Sequence, residues 1–350
     1  MYSLSDYDYY LPHELIAQKP VSQRDRSRLL FLNRQTGELS HHLFNALPHF
    51  LLSTDILVIN DTEVIPGRLK GRKETGGRVE VLLLDYAGAK EKSGEFISTC
   101  LIKASKPSKP GARIHFDRRL KAEVLNGQDG IYTLKFLYRG GFEDLLYQIG
   151  QIPLPPYIKR IENEEFPNDK VSYQTVYASR KGAVAAPTAG FHFTQELITK
   201  IKSRGVQIVP ITLHISYGTF LPIRVSDIRD HRMHSEQFSI PPATADTINR
   251  GKSEGKRILA VGTTCVRTLE FVADPKGNIR DGSGNCNLFI YPGYQFKVVD
   301  AMITNFHLPK SSLLMLVSAF AGRENILKAY AAAIKERYRF YSYGDAMFIV

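Results

Sequence analysis

Five histidines, His192, His214, His231, His234 and His307, fall beside segments that read as loops. Imidazole titrates closest to neutrality of any side chain, so these residues are candidates to move protons. In "HRMHSE", His231 and His234 stand three apart, with Glu236 close behind. A histidine paired with that carboxylate could act as a general acid or base. The HxxH spacing could also contribute to a metal site, although it supplies no third fixed ligand. Each histidine could equally be a hydrogen-bonded structural group, and the residues alone leave all three readings open.

Three more segments end apparent strands in small, polar or histidine-bearing loops: Asn60-Asp61-Thr62, Gly262-Thr263-Thr264 and Thr304-Asn305-Phe306-His307. Open α/β sheets bind ligands at the carboxyl ends of their strands, so three such loops point to a shared pocket. A helix starting at Thr263 or Thr264 would turn free N–H groups toward an anion; an ordinary threonine cap is the plainer alternative. "GAVAAPTAGFHFT", residues 182–194, is uncharged and built of small residues. Ala185, Ala186, Ala189 and Gly190 would let a flat ligand approach the backbone there, with Phe191 or Phe193 closing over it and His192 beside the chemistry. No GxGxxG follows a strand and no GxxxxGK[ST] occurs, which argues against a dinucleotide fold of the usual type and a P-loop ATPase.

Several elements must position these groups. "RLLFLNRQTGELSHHLF" alternates about Thr36-Gly37 as a hairpin, and "DILVIND" reads as a buried strand. "LPHELIAQ" and "NALPHFL" read as short helices. From Pro66, "RLKGRKETGGRVEVLLLD", "EFISTCLIK", "ARIHF", "LKAEVL" and "IYTLKF" follow at short intervals broken by Gly, Asn and Asp, the texture of a small antiparallel barrel. "GFEDLLYQIG" predicts a closing helix, and the stiff "QIPLPPYI" a return from the barrel. Beyond it strands and helices alternate: "YQTVYA" as a strand, "QELITKIKSR" as a helix capped by Thr194, then "VQIVPITLHI", "RILAVG", "TTCVRTLEFV", "VVDAMITNF", "KSSLLMLVSAFA" and "ENILKAYAAAIKERY". The fold class expected is a layered α/β domain, residues 1–65 plus 153–350, with an inserted basic antiparallel β-barrel over residues 66–152.

The 350 residues carry a net charge of +11, from 46 Lys and Arg against 35 Asp and Glu. Residues 66–136 hold 15 basic and 8 acidic side chains, or 15 − 8 = +7 of that excess. Such concentration favours an acidic partner, nucleic acid first among them. Lys103, Lys106 and Lys109 in "KASKPSKPG" could grip a phosphate backbone; a solvated loop is the alternative. Three cysteines without a CxxC pair argue against a disulfide framework or a cysteine-rich zinc site. The longest apolar patch is too short for a bilayer, and a soluble cytoplasmic protein is expected.

Taken together, "LVINDTEVIPGRL", "TGGRVEVLLL", "PLPPYI", "GAVAAPTAGFHFT", "TLHISYGTF", "HRMHSE", "AVGTTCVRTLE", "FIYPGYQFKVVDAMITNFHLP" and "LLMLVSAFAG" resemble the S-adenosylmethionine:tRNA ribosyltransferase-isomerases of queuosine biosynthesis, in order and over nearly the whole chain. The resemblance implies an α/β domain with an inserted barrel. It implies transfer and isomerisation of the ribosyl moiety of S-adenosylmethionine to a 7-aminomethyl-7-deazaguanine in the wobble position of a tRNA anticodon, giving epoxyqueuosine, adenine and methionine. S-adenosylmethionine is then a co-substrate, with no metal or prosthetic group, and a monomer without membrane contact is expected. A sulfonium acidifies the adjacent ribose carbon, adenine must leave with a proton, and the aminomethyl nitrogen must be uncharged to attack. With the resemblance, those steps make His192, His214, His234, Glu236 and His307 the residues expected at or near the reaction centre. Asn60, Asp61, Thr62, Arg68, Thr188 and Asn305 are expected to bind substrate. Thr263, Thr264 and Arg267 would hold the methionine carboxylate. Tyr177, Phe193 and Tyr291 would stack on a base, and Tyr343 and Asp345 would complete the wall.

The chain departs from the family pattern at Glu63, where a basic residue is common, and at Gly67, Ser216, Tyr217 and Cys286. None of these removes an acid, a base or a histidine from the quoted segments. A non-catalytic RNA-binding protein would explain the basic barrel but not the histidine-rich, uncharged pocket. A metal-dependent hydrolase using His231 and His234 is the third reading.

Overall fold

The computed structural model describes residues 2–128, 130–160, 168–220 and 223–350. Runs of aliphatic and β-branched residues form a nine-stranded mixed sheet. Its order is Gly282–Cys286, Glu236–Ile240, Gln207–Leu213, Ile56–Asn60, Ile258–Val261, Ala301–Asn305, Ala346–Ile349, Arg28–Leu32 and Leu39–Leu43. The four strands from Gln207–Leu213 to Ala301–Asn305 are parallel neighbours. Side chains alternate between two cores, as the pleat requires. Ile56 and Val58 face the helices Pro242–Ser253, Thr263–Val272, Ser312–Ala321 and Arg323–Lys335. Leu57 and Ile59 face Leu197, Ile198 and Ile201 of the helix Gln195–Ser203. Thr194 caps that helix through the Leu197 N–H at 3.1 Å.

A second sheet closes on itself. Arg68–Lys73, Arg78–Leu83, Glu95–Ala104, Arg113–Asp117, Leu120–Gln128 and Ile131–Tyr138 form a six-stranded antiparallel barrel, closed by pairing of the last strand with Glu95–Ala104. Closure removes the edges that an open sheet would present. The short strand Lys90–Lys92 pairs outside the ring. Leu69, Val81, Ile114, Val124 and Leu134 fill the interior together with Leu145 and Leu146 of the helix Phe142–Ile149. Phe142 stacks on Phe96 with ring centres 4.1 Å apart. The chain enters and leaves the barrel side by side: Arg68 and Gln151 exchange both backbone hydrogen bonds. The fold is thus a mixed α/β sheet with an antiparallel barrel, as the strand spacing predicted.

Some local expectations differ. "YQTVYA" forms turns rather than a strand, and the strand lies just beyond, at Arg180–Ala183, where it pairs parallel with Thr62–Val64. "LPHELIAQ" and "NALPHFL" give only 3-10 turns, at His13–Leu15 and Phe44–His49. Pro48, inside the second, has no N–H to continue an α-helical ladder.

Candidate active site

Register places the predicted loops on one edge of the large sheet. The parallel strands end there at Asn60, Leu213, Val261 and Asn305. Ala346 pairs with Asn305 and begins the antiparallel strand beside it, so residues 341–345 reach the same edge. The segments that follow Val261 and Asn305, with residues 341 and 342, border a cleft of about 720 Å³. Ala185, Ala186, Thr188, Ala189, Gly262, Thr263, Thr264, Arg267, Asn305 and His307 line it, and so do Tyr157 and Tyr341.

The helix Thr263–Val272 starts on this cleft. Its N-cap is Gly262, at φ 90°, with no side-chain cap. The Gly262 N–H is bound by the Ile303 carbonyl. Neither threonine closes the helix end, because the turn out of the strand is taken at a positive φ open to glycine. The uncapped N–H groups and the helix dipole favour an anion at this point. One turn on, Arg267 lies buried. Its Nη1 donates to Glu236 at 2.5 Å and its Nε to the Leu288 carbonyl at 3.1 Å, whereas Nη2 has no hydrogen-bond partner among the described residues. The other Glu236 oxygen accepts the Ser216 N–H at 3.0 Å. Glu236 is therefore the counter-ion of Arg267 and does not line the cleft.

The histidines divide sharply. His307 lines the cleft. Its Nε2 meets the Thr304 hydroxyl at 2.8 Å, its N–H donates to the Tyr330 hydroxyl, and its carbonyl accepts from Tyr9. Burial pushes its pKa down to about 3, so the ring is neutral, and Nδ1 has no protein partner among the described residues. His192 lies behind the lining. Ser27 donates its hydroxyl to the Arg24 carbonyl, so Oγ accepts from His192 Nδ1–H at 2.7 Å. Nε2 then accepts from the Asn305 amide at 3.2 Å. Asn305 Oδ1 accepts from the Thr188 hydroxyl at 2.9 Å, carrying this chain to the cleft wall. Burial, with the Arg24 and Arg339 charges, holds His192 near pKa 3, and its ring stacks on Phe44. His214 is half-buried away from the lining, 2.8 Å from the Thr62 hydroxyl; burial lowers its pKa against the opposing pull of Asp61 and Asp85. His234 is exposed, and His231 packs edge-on against Phe289. Among the described residues no group of three or more His, Cys, Asp or Glu side chains could hold a metal ion.

Other sequence-predicted residues stand outside this cleft. The Asn60 amide brackets Leu213 with two hydrogen bonds of 3.0 Å, tying two strand ends together. Asp61 accepts from Thr212 and Ser179 and borders a separate cavity of about 290 Å³ with Tyr177 and Phe193. Phe193 is fully buried against Phe44. Gly190 does not approach a ligand: its missing Cβ leaves room for the Tyr177 hydroxyl, which would lie 2.1 Å from it. Arg68 pairs with Glu80 on the barrel at 2.7 Å. Tyr291 packs on Phe289 and Tyr2. Tyr343 donates to Asp169, and Asp345 accepts the N–H groups of Arg28 and Arg339. Sequence reasoning missed Tyr157 and Tyr341, whose rings meet at 4.1 Å on the cleft wall. Tyr157 lies in the quoted segment "PLPPYI", and Tyr341 stands two residues before the expected Tyr343. Choosing Tyr341 over Tyr343 requires knowing that Tyr341 takes φ 74°.

A queuosine biosynthesis protein family model matches residues 4–349. A protein of Geotalea uraniireducens named S-adenosylmethionine:tRNA ribosyltransferase-isomerase is 52% identical over 347 residues, covering 99% of both chains. One of the same name from Syntrophotalea carbinolica is 49% identical over 348 residues, again covering 99% of both. The crystal structure of S-adenosylmethionine tRNA ribosyltransferase from Thermotoga maritima shares 37% identity, covers 99% of this chain and 100% of that one, and superposes with a TM-score of 0.55. With a cleft at the carboxyl edge of its sheet and full-length likeness to these enzymes, the chain belongs to the queuosine biosynthesis protein family, that of the S-adenosylmethionine:tRNA ribosyltransferase-isomerases.

Proposed function

We propose that this enzyme transfers the ribosyl moiety of S-adenosylmethionine to 7-aminomethyl-7-deazaguanine in the wobble position of a tRNA anticodon and isomerises it. The products are epoxyqueuosine in tRNA, adenine and methionine, and the protein acts as a cytoplasmic monomer. One observation carries the reading: His307 and the uncapped start of the helix Thr263–Val272 border the same cleft. The methionine carboxylate sits at the N–H groups of Thr263 and Thr264, beside the Arg267 guanidinium. The small residues Ala185, Ala186 and Ala189 and the Tyr157–Tyr341 pair receive the nucleoside.

In this reading the free Nδ1 of neutral His307 accepts a proton from the ribose carbon next to the sulfonium. The electron pair left there drives the rearrangement and expels adenine, which takes that proton from His307. The aminomethyl nitrogen then bonds to the ribosyl carbon as the carbon–sulfur bond to methionine breaks, and the proton it loses passes to solvent. His192 does not touch the reacting atoms; it fixes Asn305 and, through it, Thr188. The test combines protein, S-adenosylmethionine and tRNA bearing the aminomethyl base. Adenine release in step with a mass gain on the tRNA is expected. Tight tRNA binding with no adenine released, where a known relative turns over, would leave an RNA-binding protein instead.

A further inference from the structure

The barrel carries a row of basic side chains that the cleft does not use. Arg72 stands opposite Arg78 on one neighbouring strand and opposite His115 on the other, and His115 stands opposite Lys121. The four lie side by side across four strands, all exposed. Leu69, Val79, Ile114 and Ala122 point into the barrel core, and strand alternation turns the basic residues outward. At a strand spacing of about 4.8 Å the row spans roughly 14 Å.

Carboxylates offer this row little relief. Glu74 reaches Arg113 at 3.7 Å and His115 at 4.0 Å, and Glu80 is taken by Arg68. Arg72 donates to the Gly76 carbonyl, and none of Arg72, Arg78 and Lys121 has an ion-pair partner among the described residues. Like charges facing each other across strands oppose the sheet, so the arrangement favours a polyanion against it. Beyond Arg78 the row runs on. The next pair along that strand is Val79 with Ala104, at the start of the lysine loop. Lys73 Nζ donates to the carbonyls of Lys106 at 2.7 Å and Pro107 at 3.4 Å, mooring that loop beside Arg72.

We propose that the row Lys121–His115–Arg72–Arg78, extended by Lys106 and Lys109, is the surface along which the phosphate backbone of the tRNA lies. A line of Arg and Lys cations with a histidine among them, rather than a compact cluster, suits a partner whose charges also lie in a line. The proposal rests on tRNA being the substrate. It puts the grip on the nucleic acid on the barrel and leaves the chemistry to the sheet edge.

The test measures binding of an unmodified tRNA transcript at several salt concentrations. The triple variant Arg72→Gln, Arg78→Gln, Lys121→Gln is expected to bind about tenfold or more weakly near 0.1 M salt. Its negative slope of log K against log salt becomes shallower by about 2 to 3, since each phosphate contact contributes about 0.7–0.9. The KM for S-adenosylmethionine, and kcat at saturating tRNA, stay unchanged. Arg72→Lys with Arg78→Lys keeps the slope. Lys200→Gln with Lys335→Gln, on helices of the α/β sheet, leaves it unchanged. An unaltered slope in a triple variant that melts like the parent overturns the proposal, and so does an equal loss in the helix variant. If the parent transfers no ribosyl group yet binds tRNA with a steep slope that the triple variant makes shallower, the functional reading fails and this one stands with tRNA as a ligand. If it transfers the group and the triple variant keeps its slope, this one fails alone.

Discussion

His192 and His307 are both buried and both held near pKa 3, yet only His307 borders the cleft. That difference separates their expected phenotypes. His307→Ala removes the group placed to take a proton, so kcat falls by about 10²–10⁴ while the fold persists. His192→Ala leaves Ser27 and Asn305 without their shared partner. It costs stability of about 2–4 kcal/mol and lowers kcat by about tenfold through Asn305, without moving the pH profile. Calorimetry with steady-state kinetics on both variants checks this; equal kinetic effects would erase the distinction. Arg267→Lys loses the fork that joins Glu236 and the Leu288 carbonyl, and it is expected to raise KM for S-adenosylmethionine about tenfold with kcat nearly constant. The sequence made these residues candidates by type, but side-chain direction was not legible. Nothing in "GFHFT" says that His192 turns inward toward Ser27 and Phe44.

At the scale of elements, the helix Thr263–Val272 carries the argument. It was legible to the residue from "TTCVRTLEFV", because Cys265, Val266 and Leu269 form a buried stripe at helical spacing. Its uncapped start was not legible, since threonines there suggest capping. Gly262→Ala tests the geometry. An added Cβ would meet Thr264 Oγ1 at 3.4 Å and the Ala189 Cβ at 3.5 Å, so space is adequate. The cost lies in the backbone: φ 90° with ψ 152° is a region essentially reserved for glycine, and a residue with a Cβ is strained there by about 1–3 kcal/mol. The variant is expected to melt a few degrees lower and to show a several-fold higher KM for S-adenosylmethionine as the first N–H groups reorient. An unchanged KM would remove the helix end from the binding site. Elsewhere, strands with dense aliphatic runs such as Ile56–Asn60 were readable. Gly282–Cys286, "GSGNC", was not, because it owes its strand form to pairing with Glu236–Ile240 rather than to its own side chains.

Across the whole molecule, the barrel was legible because its strands are short, evenly spaced and locally paired. The large sheet was less so, since the strand Ala346–Ile349 joins Arg28–Leu32 from the far end of the chain, a contact no local pattern reports. That packing also makes the protein sensitive to acid. His192 and His307 keep depressed pKa values of about 3 in the fold, whereas an unfolded imidazole titrates near 6.5. Above pH 6.5 both states hold these rings neutral, and they add no pH dependence. Below it the unfolded chain binds protons that the fold refuses, so stability falls by up to about 1.4 kcal/mol per pH unit for each ring, until the folded pKa is reached. Half-buried His214, also depressed, acts in the same direction. Urea titrations at pH 7, 6, 5.5 and 5 should therefore give steadily lower unfolding free energies. His192→Gln should flatten the trend by about one proton, because glutamine fills much of the same space and cannot titrate. A parent whose stability stays level from pH 7 to 5, or a variant with the parent's slope, would mean that these rings reach solvent and protonate within the folded state.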